Sequence, residues 1–300
     1  MIIKDPDIVK EPHAEWGGTW TEKKLDAFAK YVKAYLTIMN KHPELKTVYF
    51  DGFAGSGERK NECDTDLLRE LPINIEELKV YKGAAERVLS LPENFSFFFY
   101  YFIDSNCASL DKLKQKLSPY QNTKRTPFQF RKGDCNIILG ELTIAMHKDK
   151  KLASLVFLDP FGMQVNWNSI ENLSGTRTDL WLLVPTGLIV NRLLDRNGEL
   201  KHAVKLESFF GLSEEEIRDY FYTRISIPTL FGEQELIRKV TKPIEKIAEL
   251  YVIRLKSKWK FVTEKPLKLI NSRNVPIFHL VFASNNSTGL KIANQIIETI

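Results

Sequence analysis

The stretch Val48-Tyr49-Phe50-Asp51-Gly52-Phe53-Ala54-Gly55-Ser56-Gly57 decides the reading of this chain. An apolar run ends in a carboxylate, and a turn of small residues follows at once. Glycine tolerates positive φ and lets a ligand approach the backbone closely. A strand that ends in such a turn usually feeds a helix, and nucleotide-like ligands sit in the loop between them. Taken alone, this is also how an ordinary tight turn reads. Further stretches repeat the pattern: Phe102-Ile103-Asp104, Gly133-Asp134-Cys135-Asn136 and Phe157-Leu158-Asp159-Pro160-Phe161-Gly162. Each places a carboxylate at or just past the end of an apolar run, an arrangement that packing alone does not demand.

Around these points strands and helices alternate. Thr19-Trp20-Thr21-Glu22 has capping-box spacing, and Leu25, Phe28, Val32, Leu36 and Met39 then recur at helical intervals. Strands are expected over 47–53, 96–103, 126–130, 155–158 and 180–184, with helices over 83–89, 110–117 and 137–147 between them. The run Ser96–Ile103 is almost unbroken in its apolar character, as a strand buried on both faces should be. Two late strands, near 259–263 and 277–283, are placed to close the sheet. The expected architecture is one α/β domain over residues 1–300, a doubly wound, Rossmann-like sheet of about seven strands. Residues 58–82 read as an insertion in the glycine turn. Residues 188–249 read as a helical insertion, with Ser213-Glu214-Glu215-Glu216 as a helix start.

Composition sets the remaining bounds. The 43% hydrophobic and 27% charged content is that of a globular protein, and no apolar run is long enough to span a membrane. The three cysteines, Cys63, Cys107 and Cys135, lack metal-type spacing and fit a reducing cytoplasm. The net charge of +5 is uneven: Leu236–Asn274 holds eleven Lys or Arg against three Glu. With Tyr251, Trp259 and Phe261 interleaved among them, Lys256, Lys258 and Lys260 read either as a nucleic acid surface or as a solvated helix face. The five histidines show no metal spacing.

The Asp-x-Phe-Ala-Gly-Ser-Gly motif, followed by Asp-Pro-Phe-Gly, resembles class I S-adenosylmethionine-dependent methyltransferases. More narrowly, the chain is similar to the three-Cys-motif partner proteins (TcmP family), a bacterial methyltransferase-like group. The matching pieces are Lys23-Lys24-Leu25, Tyr49 to Gly57, Phe102-Ile103-Asp104, Val156 to Gly162, His279 to Ser284 and Gly289-Leu290-Lys291. That resemblance implies S-adenosylmethionine as cofactor and a separate three-Cys-motif protein as partner.

On that footing the cofactor falls across Asp51, Phe53, Gly55, Gly57, Asp104, Asp134 and Cys135. Gly55 and Gly57 supply close backbone approach. Asp51 holds the ammonium or caps the turn, Asp104 takes the ribose diol or caps the next helix, and Asp134 accepts from the adenine amine beside Cys135 or Asn136. Asp159, Pro160 and Phe161 fall where a methyl acceptor meets the sulfonium. The family of amino-methylating nucleic acid enzymes carries Asp-Pro-Pro-Tyr or Asn-Pro-Pro-Phe at this place. Here Phe161 replaces the second proline and Gly162 the aromatic residue. His13 and Trp16 are expected near the cofactor by family position, and Trp167 and Asn168 on the acceptor side.

The implied function is methyl transfer to an amine of a nucleic acid base. The alternative is a degenerate cofactor-binding fold that regulates a partner protein. Transfer to base carbon five is disfavoured, because no cysteine follows a proline in a strand-end loop. A nicotinamide enzyme is disfavoured too, since Glu58-Arg59-Lys60 follow Gly57 and the third glycine is missing.

Overall fold

A computed structural model describes residues 19–55, 83–124, 126–160, 162–229, 232–271 and 274–300. The chain opens with α1 (Thr19–Met39) and β1 (Lys46–Asp51). Then α2 (Ala84–Leu89), β2 (Phe99–Asp104), α3 (Cys107–Gln121), β3 (Phe128–Lys132), α4 (Cys135–Lys148), β4 (Leu152–Leu158), α5 (Trp167–Leu173) and β5 (Thr178–Val184) alternate as the periodicity requires. A π turn, Thr186–Val190, leads to α6 (Ala203–Phe210) and α7 (Glu214–Phe221). The rest is β6 (Tyr222–Thr229), β7 (Gly232–Lys239), α8 (Pro243–Lys256), β8 (Phe261–Val262), β9 (Leu267–Ile270), β10 (Pro276–Ser284) and α9 (Ser287–Glu298).

The central sheet runs β3-β2-β1-β4-β5-β10-β8, with β9 also paired to β10. β1 to β5 are mutually parallel, and β10 pairs antiparallel with β5, Ser284 opposite Asp179 and His279 opposite Val184. This is a mixed α/β, Rossmann-like architecture with a mostly parallel sheet. The strand path reverses between β1 and β4: the chain leaves β1 toward β2 and β3 on one side, then returns to β4 and β5 on the other. In open α/β sheets the crevice for a ligand lies at such a reversal, outside the carboxyl ends of the strands.

Two apolar layers sandwich the sheet because successive strand residues point to opposite faces. Tyr49, Phe102, Phe157, Trp181 and Phe282 face α1, α2 and α3. Phe50, Ile103, Val156, Leu180 and Val281 face α4, α5, α6 and α8. α1 seats Leu25, Phe28, Val32 and Leu36 almost without exposure, and the Phe28 ring stacks on Phe157 at 4.1 Å. Each such side chain contributes about 1.5–3 kcal/mol when taken from water.

The segment 188–249 departs from the helical expectation. α6, α7 and the start of α8 are there, and Ser213 and Glu216 make the reciprocal capping box at the start of α7. Between α7 and α8, however, β6 and β7 form a separate antiparallel ribbon, with Ile225 opposite Leu236. Ile227 shares the face of Ile225 and Leu236, yet Ile227 and Leu236 are exposed, as is Ile237 on the other face, and Pro228 interrupts the strand pattern. Among the described residues no helix is long and apolar enough to cross a membrane.

Candidate functional site

The reversal between β1 and β4 gathers the strand-end carboxylates along one edge of the sheet. Asp51 ends β1 and Asp104 ends β2, while Asp159 follows β4 and Asp134 follows β3. Neighbouring strands lie about 4.8 Å apart, so these residues form a row.

The glycine turn is stitched to this row. Gly52 N–H donates to Phe157 O at 3.0 Å and Ala54 N–H to Ile103 O at 2.8 Å. Phe53 N–H donates to Asp51 Oδ1 at 3.3 Å. Gly55 N–H donates to Asp104 Oδ2 at 3.1 Å, while Asn106 N–H donates to Asp104 Oδ1 at 2.8 Å. Gly55 has φ 37°, a conformation that other residues adopt only with strain. Gly52 is fixed by space, since a Cβ there would lie 2.6 Å from both Cys135 Sγ and Leu158 Cδ2. Cys135 is therefore the packed floor of the turn, and burial pushes its thiol well up. Asp134 caps α4, its carboxylate accepting from Asn136 N–H at 2.7 Å.

Asp159 is not an open carboxylate. Lys24 of α1 reaches it with Nζ at 2.6 Å from Oδ2, and Lys24 is 0% exposed. The ammonium also lies 5.6 Å from the Trp20 ring. Burial pulls the Lys24 pKa down, while the Asp159 and Asp51 charges pull it back up. Asp51 is 2% exposed and accepts from the Tyr49 hydroxyl at 3.2 Å. Burial raises its pKa to about 7, helped by the Asp159 and Asp104 charges and opposed by the bonds from Phe53 and Tyr49. Two carboxylates, Asp51 and Asp159, thus act on one buried ammonium, and Asp104 lies near enough to Asp51 for their charges to interact. About 30 Å³ lies between Lys24, Asp51, Gly55 and Asp159, less than a nucleoside occupies.

Pattern reading found Asp51, Phe53, Gly55, Asp104 and Asp159, and the structure brings them together. Lys24 entered only as part of a family match, with no chemical role. Its signal was positional: Lys24, Phe28, Tyr31 and Tyr35 fall on one helical stripe, which makes Lys24 a charge on a buried face. Pro160 is buried beside Asp159. Gly57, Phe161, His13 and Trp16 lie outside the described residues.

Other expectations are corrected. Trp167 does not line an acceptor side: it is a core residue, its Nε1 donating to Glu171 at 2.8 Å and its ring packed against Tyr251 and Arg254. Trp259 and Tyr251 cannot stack on bases, because both are buried in the layer beneath the sheet. Lys256 pairs with Glu264 at 2.9 Å and Lys258 with Glu171 at 2.5 Å. Lys258 and Lys260 sit by the strand Phe261–Val262, whose Phe261 is level with Ser284 and hence with Asp179 near the start of β5. They belong to the edge where the parallel strands begin, opposite the carboxylate row.

No family model matches the chain, and no curated protein matches it. Among solved structures it is similar to protein LPL1258 from Legionella pneumophila, of the DUF519 family model, at 14% identity over 94% of this chain and 91% of that one, with a TM-score of 0.45. That likeness is too distant to carry an argument about the site.

Proposed function

We propose that the chain is an S-adenosylmethionine-dependent methyltransferase whose acceptor is a planar amine of the kind carried by nucleic acid bases. The observation that supports this best is the charge balance at the strand reversal: Asp51 and Asp159 share one buried ammonium, Lys24, and Asp104 adds a third carboxylate near Asp51. An edge with excess negative charge suits a ligand that carries both an ammonium and a sulfonium. The cofactor, when bound, supplies an electrophilic methyl group. Asp104 uses one lone pair on each oxygen for Gly55 and Asn106, and a carboxylate has about four acceptor positions, so a diol finds acceptors there. Asp51 gains a counter-charge from the ligand's ammonium. Asp159, fixed by Lys24, and the carbonyl of Pro160 orient the acceptor amine. Alignment carries most of the rate, since attack on a sulfonium methyl needs little covalent help.

Titration calorimetry with S-adenosylhomocysteine tests the reading. Asp104→Ala should weaken binding at least tenfold, about 1.4 kcal/mol. Unchanged affinity removes Asp104 from the site, and no binding by the parent chain removes the cofactor.

The buried Lys24–Asp159 pair favours a second reading, a fold that keeps the cofactor and regulates a partner protein without turnover. An Asp already neutralised by a lysine is a poor acceptor for an amine proton. Cofactor binding with no labelled methyl passing to RNA, DNA or protein would select that reading.

A further inference from the structure

The edge where the parallel strands begin holds a second cavity of about 820 Å³. It shares no lining residue with the carboxylate site. Its walls come from α1, β4, β5, β10 and α9, and its size is that of a small-molecule site.

The floor is made of hydroxyls around one carboxylate. Thr178 Oγ1 lies 2.6 Å from both Ser154 Oγ and Thr176 Oγ1. Asp179 accepts from the Tyr31 hydroxyl at 2.7 Å and from Ser284 Oγ at 2.5 Å. Beside them stands Tyr35, 7% exposed, whose hydroxyl is shielded from solvent and has no partner among the described residues. Tyr35 lines the cavity, and the charges of Asp179 and Arg177 act on its hydroxyl.

The rim is cationic on balance: Arg177, Lys258 and Lys260 stand against Glu44. Arg177 spends one N–H on Lys150 O at 2.7 Å, and Lys260 has no ion pair among the described residues. The first turn of α9 completes the wall with Asn286 and Gly289, and a helix N-terminus favours anions. Gly289 is packed so closely that a Cβ would stand 3.0 Å from the Tyr31 hydroxyl.

A carboxylate floor asks a ligand for hydroxyl donors, and a cationic rim asks it for an anion. We propose that this cavity binds a ribose phosphate unit. The sugar hydroxyls bond to Asp179 and its neighbours, the phosphate lies toward Arg177, Lys260 and the first turn of α9, and the Tyr35 hydroxyl bonds to the ligand. The unit could come from a free sugar phosphate or from a mononucleotide, for which Ile38, Met39 and Ile292 give apolar wall.

Calorimetry on the full chain tests this, with saturating S-adenosylhomocysteine present so that the carboxylate edge contributes nothing. The titrants are ribose 5-phosphate, uridine 5′-monophosphate, ribose and inorganic phosphate. Ribose 5-phosphate should bind about tenfold or more tighter than ribose or inorganic phosphate. Tyr35→Phe should weaken it by about tenfold without lowering the thermal midpoint of the free protein, and Lys260→Glu should weaken it as much. Tighter binding of the uridine nucleotide assigns the site to mononucleotides; equal or weaker binding assigns it to sugar phosphates. The proposal is overturned if neither phosphate ester saturates below about 10 mM, or if both variants bind as the parent does. It is overturned equally if Tyr35→Phe lowers the midpoint and leaves affinity alone, since the hydroxyl then serves the fold. A repeat without S-adenosylhomocysteine keeps this result independent of the methyltransferase reading.

Discussion

The two edges of one sheet are built on opposite principles. Where the parallel strands end, buried carboxylates are held from within the chain: Lys24 on Asp159, backbone amides on Asp51 and Asp104, and about 30 Å³ of space between Lys24, Asp51 and Asp159. Where they begin, the volume is large, the cations are at the rim, and a buried phenol has no partner among the described residues. A site that is finished by its own side chains changes little when a ligand arrives, and resists substitution. A site with an unmet donor is completed by what it binds. The difference predicts opposite responses to the same kind of mutation.

The largest response belongs to the finished edge. Lys24→Met strands a buried carboxylate, and breaking a buried pair from one side costs about 3–5 kcal/mol. Urea denaturation should show that loss in Lys24→Met and in Asp159→Leu separately. The double variant should recover most of it, because an apolar pair of similar volume is often as stable. Single variants within about 1 kcal/mol of the parent would mean that the edge is not held by this pair.

The next effect is a pH slope. Asp51 titrates near 3.8 when free and at about 7 in the fold. Between those values the folded chain keeps a proton that the unfolded chain has lost. The contribution to stability is full below about pH 4 and is lost as pH rises through 7, by at most about 1.4 kcal/mol per unit. Asp51→Asn should flatten this slope and stabilise the protein above neutrality. Denaturation midpoints across that window check it, and an unchanged slope would place the titration elsewhere.

At the unfinished edge the sign reverses. Tyr35→Phe removes a buried hydroxyl that has no partner among the described residues, while its ring keeps its stack on Phe97. Stability of the free protein should hold or rise by up to about 1 kcal/mol, where deleting a satisfied hydroxyl would lower it. The smallest effect is expected from Lys256, Lys258 and Lys260 reversed together to Glu. Lys256 and Lys258 sit in exposed or partly exposed pairs, which are worth about 0–1 kcal/mol each. S-adenosylhomocysteine affinity should not change, since these residues stand across the sheet from the carboxylates. If the lysines also hold single-stranded RNA, the log–log salt slope should shrink by about 0.7 per lost contact.

The finished edge was legible in the sequence, and the other was not. Asp51, Gly55 and Asp104 announce themselves because a strand, a carboxylate and a glycine turn are contiguous in the chain. Lys24 was hidden by the habit of reading lysine in an amphipathic helix as solvent-facing. Trp259 and Tyr251 misled for the converse reason: aromatics among lysines look like a stacking surface, yet Tyr251 faces inward from α8 and Trp259 is buried just past its end. The ribbon β6–β7 escaped because its apolar alternation is short, carried by Ile225, Ile227 and Leu236, with Ile227 and Leu236 exposed near charged residues. The cavity floor is assembled from Tyr31, Tyr35, Thr178, Asp179 and Ser284, residues far apart in sequence, and no local pattern encodes their meeting.

α1 contributes to both edges. Lys24 lies at one end of the sheet and Tyr31 and Tyr35 at the other, on a single uninterrupted helix. At 1.5 Å per residue, Lys24 and Tyr35 are about 16 Å apart along a rigid rod. If α1 moved as one body, a displacement at Tyr35 would reach the ammonium that steadies Asp159. Thermodynamic linkage then makes the exchange reciprocal: whatever factor a ribose phosphate imposes on cofactor affinity, the cofactor imposes on ribose phosphate.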